Sequence, residues 1–136
     1  MSGHFALLKS NWVSLHDEKA SFEGKIVLIT GATGGLGLEA AKKIAVLHSS
    51  KLIITARTEK KGRIAKNEIE EYMQQHSKAN GTLVTSVVVF KLDMSDFKGV
   101  RSFIQRILAA ESQLNAAILN AGVNRKRWEK SSNGFE

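Results

Sequence analysis

The sequence contains no cysteine and no proline. Without thiols there is no disulfide framework, no cysteine-ligated zinc site and no thiol nucleophile. Average proline usage near 5% would put about seven prolines in a chain of this length. Long hydrophobic runs are missing too. The longest apolar-rich stretch, Leu83 to Phe90, falls far short of the ~20 residues that a membrane helix needs, so no membrane span is expected. Near the N-terminus only Phe5-Ala6-Leu7-Leu8 is apolar, which does not make a secretory signal, and a cytoplasmic location is the default expectation. Histidine is scarce: His4, His16, His48 and His76 show no ligand-like spacing, and no metal site is expected.

What is present is ordinary globular composition, with 43% hydrophobic and 24% charged residues. The 136 residues correspond to a single domain. The net charge of +7 suits an anionic ligand, nucleic acid or an acidic surface without choosing among them.

Four apolar runs have strand character: Lys25 to Thr30, Lys51 to Thr55, Leu83 to Leu92, and the weaker Asn115 to Leu119. They are continuous rather than alternating, as in a parallel sheet covered on both faces. Helical patterns separate them. The first, Leu36 to Leu47, aligns Leu36, Ala40, Ile44 and Leu47, with Lys42-Lys43 on an outward face. The second, from Lys60 to about His76, has Ile64, Ile69, Tyr72 and Met73 as its apolar side. The third is capped by Asp96, runs through Ala110 and turns Val100, Phe103, Ile104 and Ile107 inward. Asn80-Gly81 marks a turn before the third strand. The fold class is therefore α/β, a doubly wound parallel sheet with expected strand order 3-2-1-4 and a switch point between strands 1 and 4. Residues 1–22 form a lead-in, with Phe5, Leu8, Trp12 and Leu15 on one helical stripe, and residues 23–136 form the sheet domain.

The first strand runs into Thr30-Gly31-Ala32-Thr33-Gly34-Gly35-Leu36-Gly37, and a helix follows. Glycine after a strand permits a tight turn and lets backbone approach a diphosphate. The helix N-terminus adds free N–H groups and about half a positive charge. A ligand-free loop is the plainer alternative. The second strand ends in Ala56-Arg57, where an acid would grip the ribose 2′-hydroxyl of NAD; an arginine pairs instead with a 2′-phosphate, unless it is an ordinary surface cation. NADP is thus favoured over NAD, and Lys60, Lys61 and Arg63 add positive potential. Asp93, before Met94, can accept from an adenine amino group or simply cap a helix. Asn120 in Asn120-Ala121-Gly122 can tie neighbouring strand ends together.

Together, the glycine signature, Asp93 and Asn120-Ala121-Gly122 resemble the short-chain dehydrogenase/reductase family over about residues 22–136. The wording is similar to an NADP-preferring, retinol-dehydrogenase-like branch: Phe22-Glu23-Gly24-Lys25, Leu38-Glu39-Ala40-Ala41 and Lys61-Gly62. The Phe5-to-Trp12 lead-in is similar to fungal members. The resemblance implies a truncated Rossmann-type fold ending after strand 4. It implies that Gly31, Gly35, Leu36 and Gly37 line the diphosphate, and that Arg57 meets the 2′-phosphate. Asp93 and Met94 would hold the adenine, and Asn120, Ala121 and Gly122 would flank the nicotinamide-side ribose. Leu119 departs mildly from the family, which often has a second asparagine there.

The family's proton-transfer pair, Tyr-x-x-x-Lys, lies downstream of the Asn-Ala-Gly motif. Here the single tyrosine, Tyr72, precedes strand 3 and is followed by His76 rather than lysine. No catalytic residue is assigned. The expectation is the NADP(H)-binding part of an oxidoreductase whose intact relatives act on small alcohols or carbonyls. The alternative is a non-catalytic NADP-binding regulatory module or a decayed gene product. Arg125-Lys126-Arg127-Trp128 reads as a solvated loop, and no nucleic-acid partner is expected. Oligomeric state is not legible. With strand 4 at an edge, the chain is expected to be marginally stable alone.

Overall fold

The computed structural model describes residues 21–76, 85–122, 130 and 134. The lead-in stripe, the Asn80-Gly81 turn and the basic segment 125–128 lie outside the described residues. Strands and helices alternate: β1 (Ile26–Thr30), α1 (Gly35–Val46), β2 (Lys51–Ala56), α2 (Glu59–His76), β3 (Ser86–Lys91), α3 (Phe97–Ala110) and β4 (Ala116–Leu119). All strand pairs are parallel, as expected from the apolar runs, and the order is β3-β2-β1-β4, as expected from the Rossmann ordering. β1 and β2 lie in the middle, which explains their unbroken apolar runs: Val27, Ile29, Leu52, Ile53 and Ile54 have no exposed surface. β3 and β4 each have one partner among the described residues and are less buried.

Successive strand residues point to opposite faces. Val27 and Ile29 therefore pack under α1 and α2, whereas Leu28 packs with Phe103 and Ile107 of α3. Two helices cover one face and one covers the other. Asp96 caps α3 as expected, accepting from the Lys98 N–H at 2.9 Å. At the lower end of the sheet the Asn115 side chain accepts from the Ile26 N–H at 2.8 Å, while its own N–H donates to the Ile26 carbonyl at 3.0 Å. This reciprocal pair sets the register of β4 on β1.

The helix faces differ from the expected stripes. In α1 the buried side is Gly37, Leu38, Ala41, Ile44 and Ala45, and Leu36 is 84% exposed. In α2 it is Gly62, Ala65, Ile69 and Met73, with Ile64 half exposed. A Cβ at Gly62 would run into the Val89 side chain, so α2 meets the sheet through its smallest residue. In α3, Ile104 is half exposed and borders a groove with Leu108 and Leu114. Lys42 also departs from its expected outward position. It bridges two helices, reaching Glu39 at 3.0 Å and Glu68 at 3.6 Å. Its pKa is raised, chiefly by the Glu39 hydrogen bond.

Candidate functional site

The strand ends carry the site. Thr30 closes β1, and Gly31 turns the chain with φ +69°, a conformation strained for any residue with a Cβ. Space excludes one as well: it would lie 2.9 Å from the Ala121 Cα and 3.1 Å from the Asn120 amide. Gly37, in the first turn of α1, is tighter still. A Cβ there would overlap both the Gly31 carbonyl oxygen and the Asn120 amide nitrogen. Gly31, Gly37 and Asn120 therefore interlock, so that the α1 start, the β1 turn and the β4 end close on one another.

Asn120 fastens the joint. Its amide nitrogen donates to the Thr30 carbonyl at 3.2 Å and the Gly31 carbonyl at 3.3 Å. The Ala121 N–H donates to the Thr30 hydroxyl at 3.0 Å. The Thr55 hydroxyl at the end of β2 accepts from the Gly31 N–H at 3.4 Å. The two threonines were not foreseen from sequence. Both read there as ordinary β-branched strand residues, and only their place at the carboxyl end of a central strand hints at a second role.

Above this joint the surface is bare. A Cβ at Gly34 or Gly35 would meet nothing within 4 Å, and Gly122 is equally open. No side chain caps α1, and its first turn holds no acidic residue. Its orphan N–H groups and positive dipole end are thus left for an external anion. A diphosphate fits this cradle in charge and in the clearance that glycine provides. Leu36 projects outward beside it.

Arg57 stands exposed just past β2, and Asp93 and the half-exposed Met94 stand past β3. Arg57 is close enough for its charge to act on Asp93. The Asp93 carboxyl lies below its ordinary pKa. The largest cause is the Ser95 hydroxyl bonded to it at 2.7 Å, followed by the Ser95 N–H at 3.0 Å; burial opposes these, and Arg57 adds a smaller lowering. Asp93 is thus both a local turn former and an available acceptor, since only one of its oxygens is bonded to Ser95. A group with a depressed folded pKa contributes stability above its unfolded value, near 3.9, and loses it as pH falls through the folded value. Ser95→Ala is expected to raise the Asp93 pKa. The stability gap between wild type and variant should be full at neutral pH and close in acid. Carboxyl-carbon NMR titration checks the pKa and acid unfolding checks the gap; an unmoved Asp93 pKa would contradict the assignment.

Tyr72 lies away from this cradle, on α2, where its ring stacks on His76 with centroids 3.9 Å apart. Among the described residues no three metal-binding side chains converge. No described helix is long and apolar enough to cross a membrane.

Residues 25–132 match the family model of the KR domain. Short-chain dehydrogenase/reductase ffsI of Aspergillus flavipes is 37% identical over 129 residues, covering 92% of this chain and 36% of the relative. Human retinol dehydrogenase 12 is 39% identical over 113 residues, covering 83% of this chain and 33% of the relative. The chain thus spans about a third of the length of these curated relatives. A metagenomic short-chain oxidoreductase solved in complex with NADP superposes with a TM-score of 0.60 at 28% identity, covering 76% of this chain and 42% of that one. The parallel sheet agrees with the structural match, and the chain belongs to the KR-domain family and, with these relatives, to the short-chain dehydrogenases/reductases.

Proposed function

We propose that this chain is the dinucleotide-binding part of an NADP-linked oxidoreductase that moves hydride between a nicotinamide and an alcohol or carbonyl carbon. The observation that carries this reading is the interlock of Gly31, Gly37 and Asn120 beneath the uncapped start of α1. In this reading Gly31, Gly35, Leu36 and Gly37 line the diphosphate and Arg57 meets the 2′-phosphate. Asp93 accepts from the adenine amino group beside Met94. Asn120, Ala121 and Gly122 flank the second ribose. The NADP complex of the structural relative supports the choice of cofactor, as does a cation rather than an acid after β2. Likeness to retinol dehydrogenases and to fungal members of the family supports a small alcohol or carbonyl substrate. A cytoplasmic setting is consistent with this reading.

Within these 136 residues no Tyr-x-x-x-Lys pair is available to transfer a proton. The chain as given is therefore expected to bind NADPH without turning over ketones or aldehydes. Fluorescence titration measures the first and NADPH consumption with a carbonyl panel the second. Absence of NADPH binding would refute the cofactor reading. Turnover at rates typical of intact enzymes would refute the assignment of the catalytic groups elsewhere.

A further inference from the structure

The two faces of the sheet are covered unequally. Four strands spaced about 4.8 Å apart make a surface that two helices, each about 10 Å across, can cover. α1 and α2 do so on one face, whereas among the described residues α3 stands alone on the other. α3 packs over Leu28 of β1, Ile53 of β2 and Leu92, which leaves the β4 side bare. Leu28 pairs in register with Ala117 and Thr30 with Leu119, so both β4 residues point to the α3 face. Both are exposed, Leu119 at 78%. A groove of about 370 Å³ runs along α3 between Leu28, Ile104, Leu108 and Leu114. Four large exposed hydrophobics, Ile104, Leu108, Leu114 and Leu119, thus gather on this one face, beside a slot of a helix's width.

Within the 136 residues, one stretch outside the described ones matches the slot. Phe5, Leu8, Trp12 and Leu15 recur at intervals of 3, 4 and 3, the apolar stripe of a helix. A helix over residues 5–15 is about 16 Å long, against about 13 Å for β4. Residues 77–84 are too short for such a helix, and residues 123–129 hold three cations and few apolar side chains. The lead-in also joins the fold at the right end. The Phe22 N–H donates to the Leu47 carbonyl at 3.0 Å, and the Lys25 N–H to the Phe22 carbonyl at 2.9 Å, which turns the chain into β1. Ile26 then exchanges bonds with Asn115, the neighbour of Leu114 in the groove. Phe22 packs on the α1 side, so residues 16–20 pass below the strand starts to the α3 side, with a reach of up to about 17 Å.

We propose that residues 5–15 dock as a helix in the slot beside α3, laying their apolar stripe against Ile104, Leu108, Leu114 and the bare face of β4. The tether favours this occupant over a second copy. A short linker holds its segment at an effective concentration on the order of millimolar, whereas two copies carrying +7 each repel. A lipid surface is disfavoured as well. The polar lining of the groove is Glu111, Ser112 and Gln113, with no cation to meet an anionic head group. Docked there, the lead-in shields apolar surface next to the edge of β4, the weak point of the sheet.

The test uses the full chain. Trp128→Phe leaves Trp12 as the only indole. Its emission is expected to be that of a buried ring, shielded from acrylamide. Ile104→Asp and Leu108→Asp put a carboxylate in the slot at exposed positions. Each is expected to lower the docked-to-free ratio at least about tenfold, as loss of one buried aliphatic side chain would. Together they shift Trp12 emission to the red and open it to the quencher. Ile64→Asp, half exposed on the other face, is the control and should leave Trp12 unmoved. Circular dichroism checks that each variant is folded. Because the chain has no cysteine, Ser112→Cys takes a single spin label at the groove without altering its apolar lining. The label is expected to broaden the Trp12 indole signal of its own chain. It should not do so for an isotopically labelled chain mixed with spin-labelled copies. A solvated Trp12 in the Trp128→Phe chain, an emission unmoved by the two groove substitutions together, or no broadening within one chain would overturn the proposal. Broadening in the mixed sample would give the slot to a second copy, and a blue shift seen only with phosphatidylserine vesicles would give the lead-in to lipid; either result overturns it.

Discussion

Gly37→Ala is expected to lower the melting temperature by about 10 °C and to abolish measurable NADPH binding. Two effects compete at this position. Alanine in a helix is favoured over glycine by about 1 kcal/mol. Against that, the new methyl would overlap the Gly31 carbonyl oxygen, which is backbone and cannot rotate away, and the Asn120 amide. Overpacking of a tight contact costs roughly 1–3 kcal/mol. Displacing Asn120 also threatens its bonds to the Thr30 and Gly31 carbonyls, at about 1 kcal/mol each. The losses exceed the gain by about 2–4 kcal/mol, and for a domain of this size each kcal/mol shifts the midpoint by several degrees. The α1 start would move with Gly37, so the anion cradle is lost along with stability. Gly34→Ala is the matched control for stability alone, since Gly34 borders the anion cradle. Its φ of 173° is extended backbone, and a Cβ there meets nothing within 4 Å. Calorimetry of both variants, with NADPH titration of Gly37→Ala against wild type, decides the matter. If Gly37→Ala behaves like Gly34→Ala, the interlock does not hold the turn.

The same small residues explain where the sequence could be read and where it could not. The strands and their alternation with helices were legible because β1 and β2 are buried on both faces and therefore carry unbroken apolar runs, each followed by a helical pattern, and the order 3-2-1-4 came from the Rossmann pattern that this alternation suggests. Helix faces were less so. A hydrophobic stripe is drawn through the largest apolar side chains, which selected Leu36, Ile64 and Ile104. The helices over the first face instead approach the sheet through Gly37, Ala41 and Ala45 in α1, and through Gly62 and Ala65 in α2. Close approach demands little side chain at the contact, so the residues that pack nearest carry the weakest hydrophobic signal. The site shows a parallel division. Gly31, Gly37 and Asn120 were legible as a motif, and the structure brings them within contact. The Thr30 and Thr55 hydroxyls were hidden, because a threonine inside a strand is explained by β-propensity alone. Lys42 was misjudged because its partner Glu68 lies on another helix, a relation that neighbours in sequence do not reveal.

Arg57→Asp is expected to invert cofactor preference, weakening NADPH on the order of 100-fold while leaving NADH unchanged or slightly tighter, as a differential of about 2.7 kcal/mol. Loss of a charge-assisted hydrogen bond to the 2′-phosphate accounts for roughly 1.5–3 kcal/mol. The new carboxylate adds repulsion toward the phosphate dianion, while it can accept from the free 2′-hydroxyl of NADH. Asp93 strengthens the expectation. Arg57 now contributes to holding the Asp93 carboxyl below its ordinary pKa, and its replacement by an acid sets two carboxylates near each other. The local field at the ends of β2 and β3 thus changes sign rather than merely weakening. Arg57 is exposed, so the effect is screened by salt and is best measured at low ionic strength. Parallel NADPH and NADH titrations of wild type and variant give the ratio directly. The Asp93 pKa, followed by NMR in the same variant, should rise. A rise in the Asp93 pKa without a change in the NADPH to NADH ratio would mean that Arg57 acts on its neighbour and not on the cofactor, and the discrimination would then fall to other cations near the end of β2.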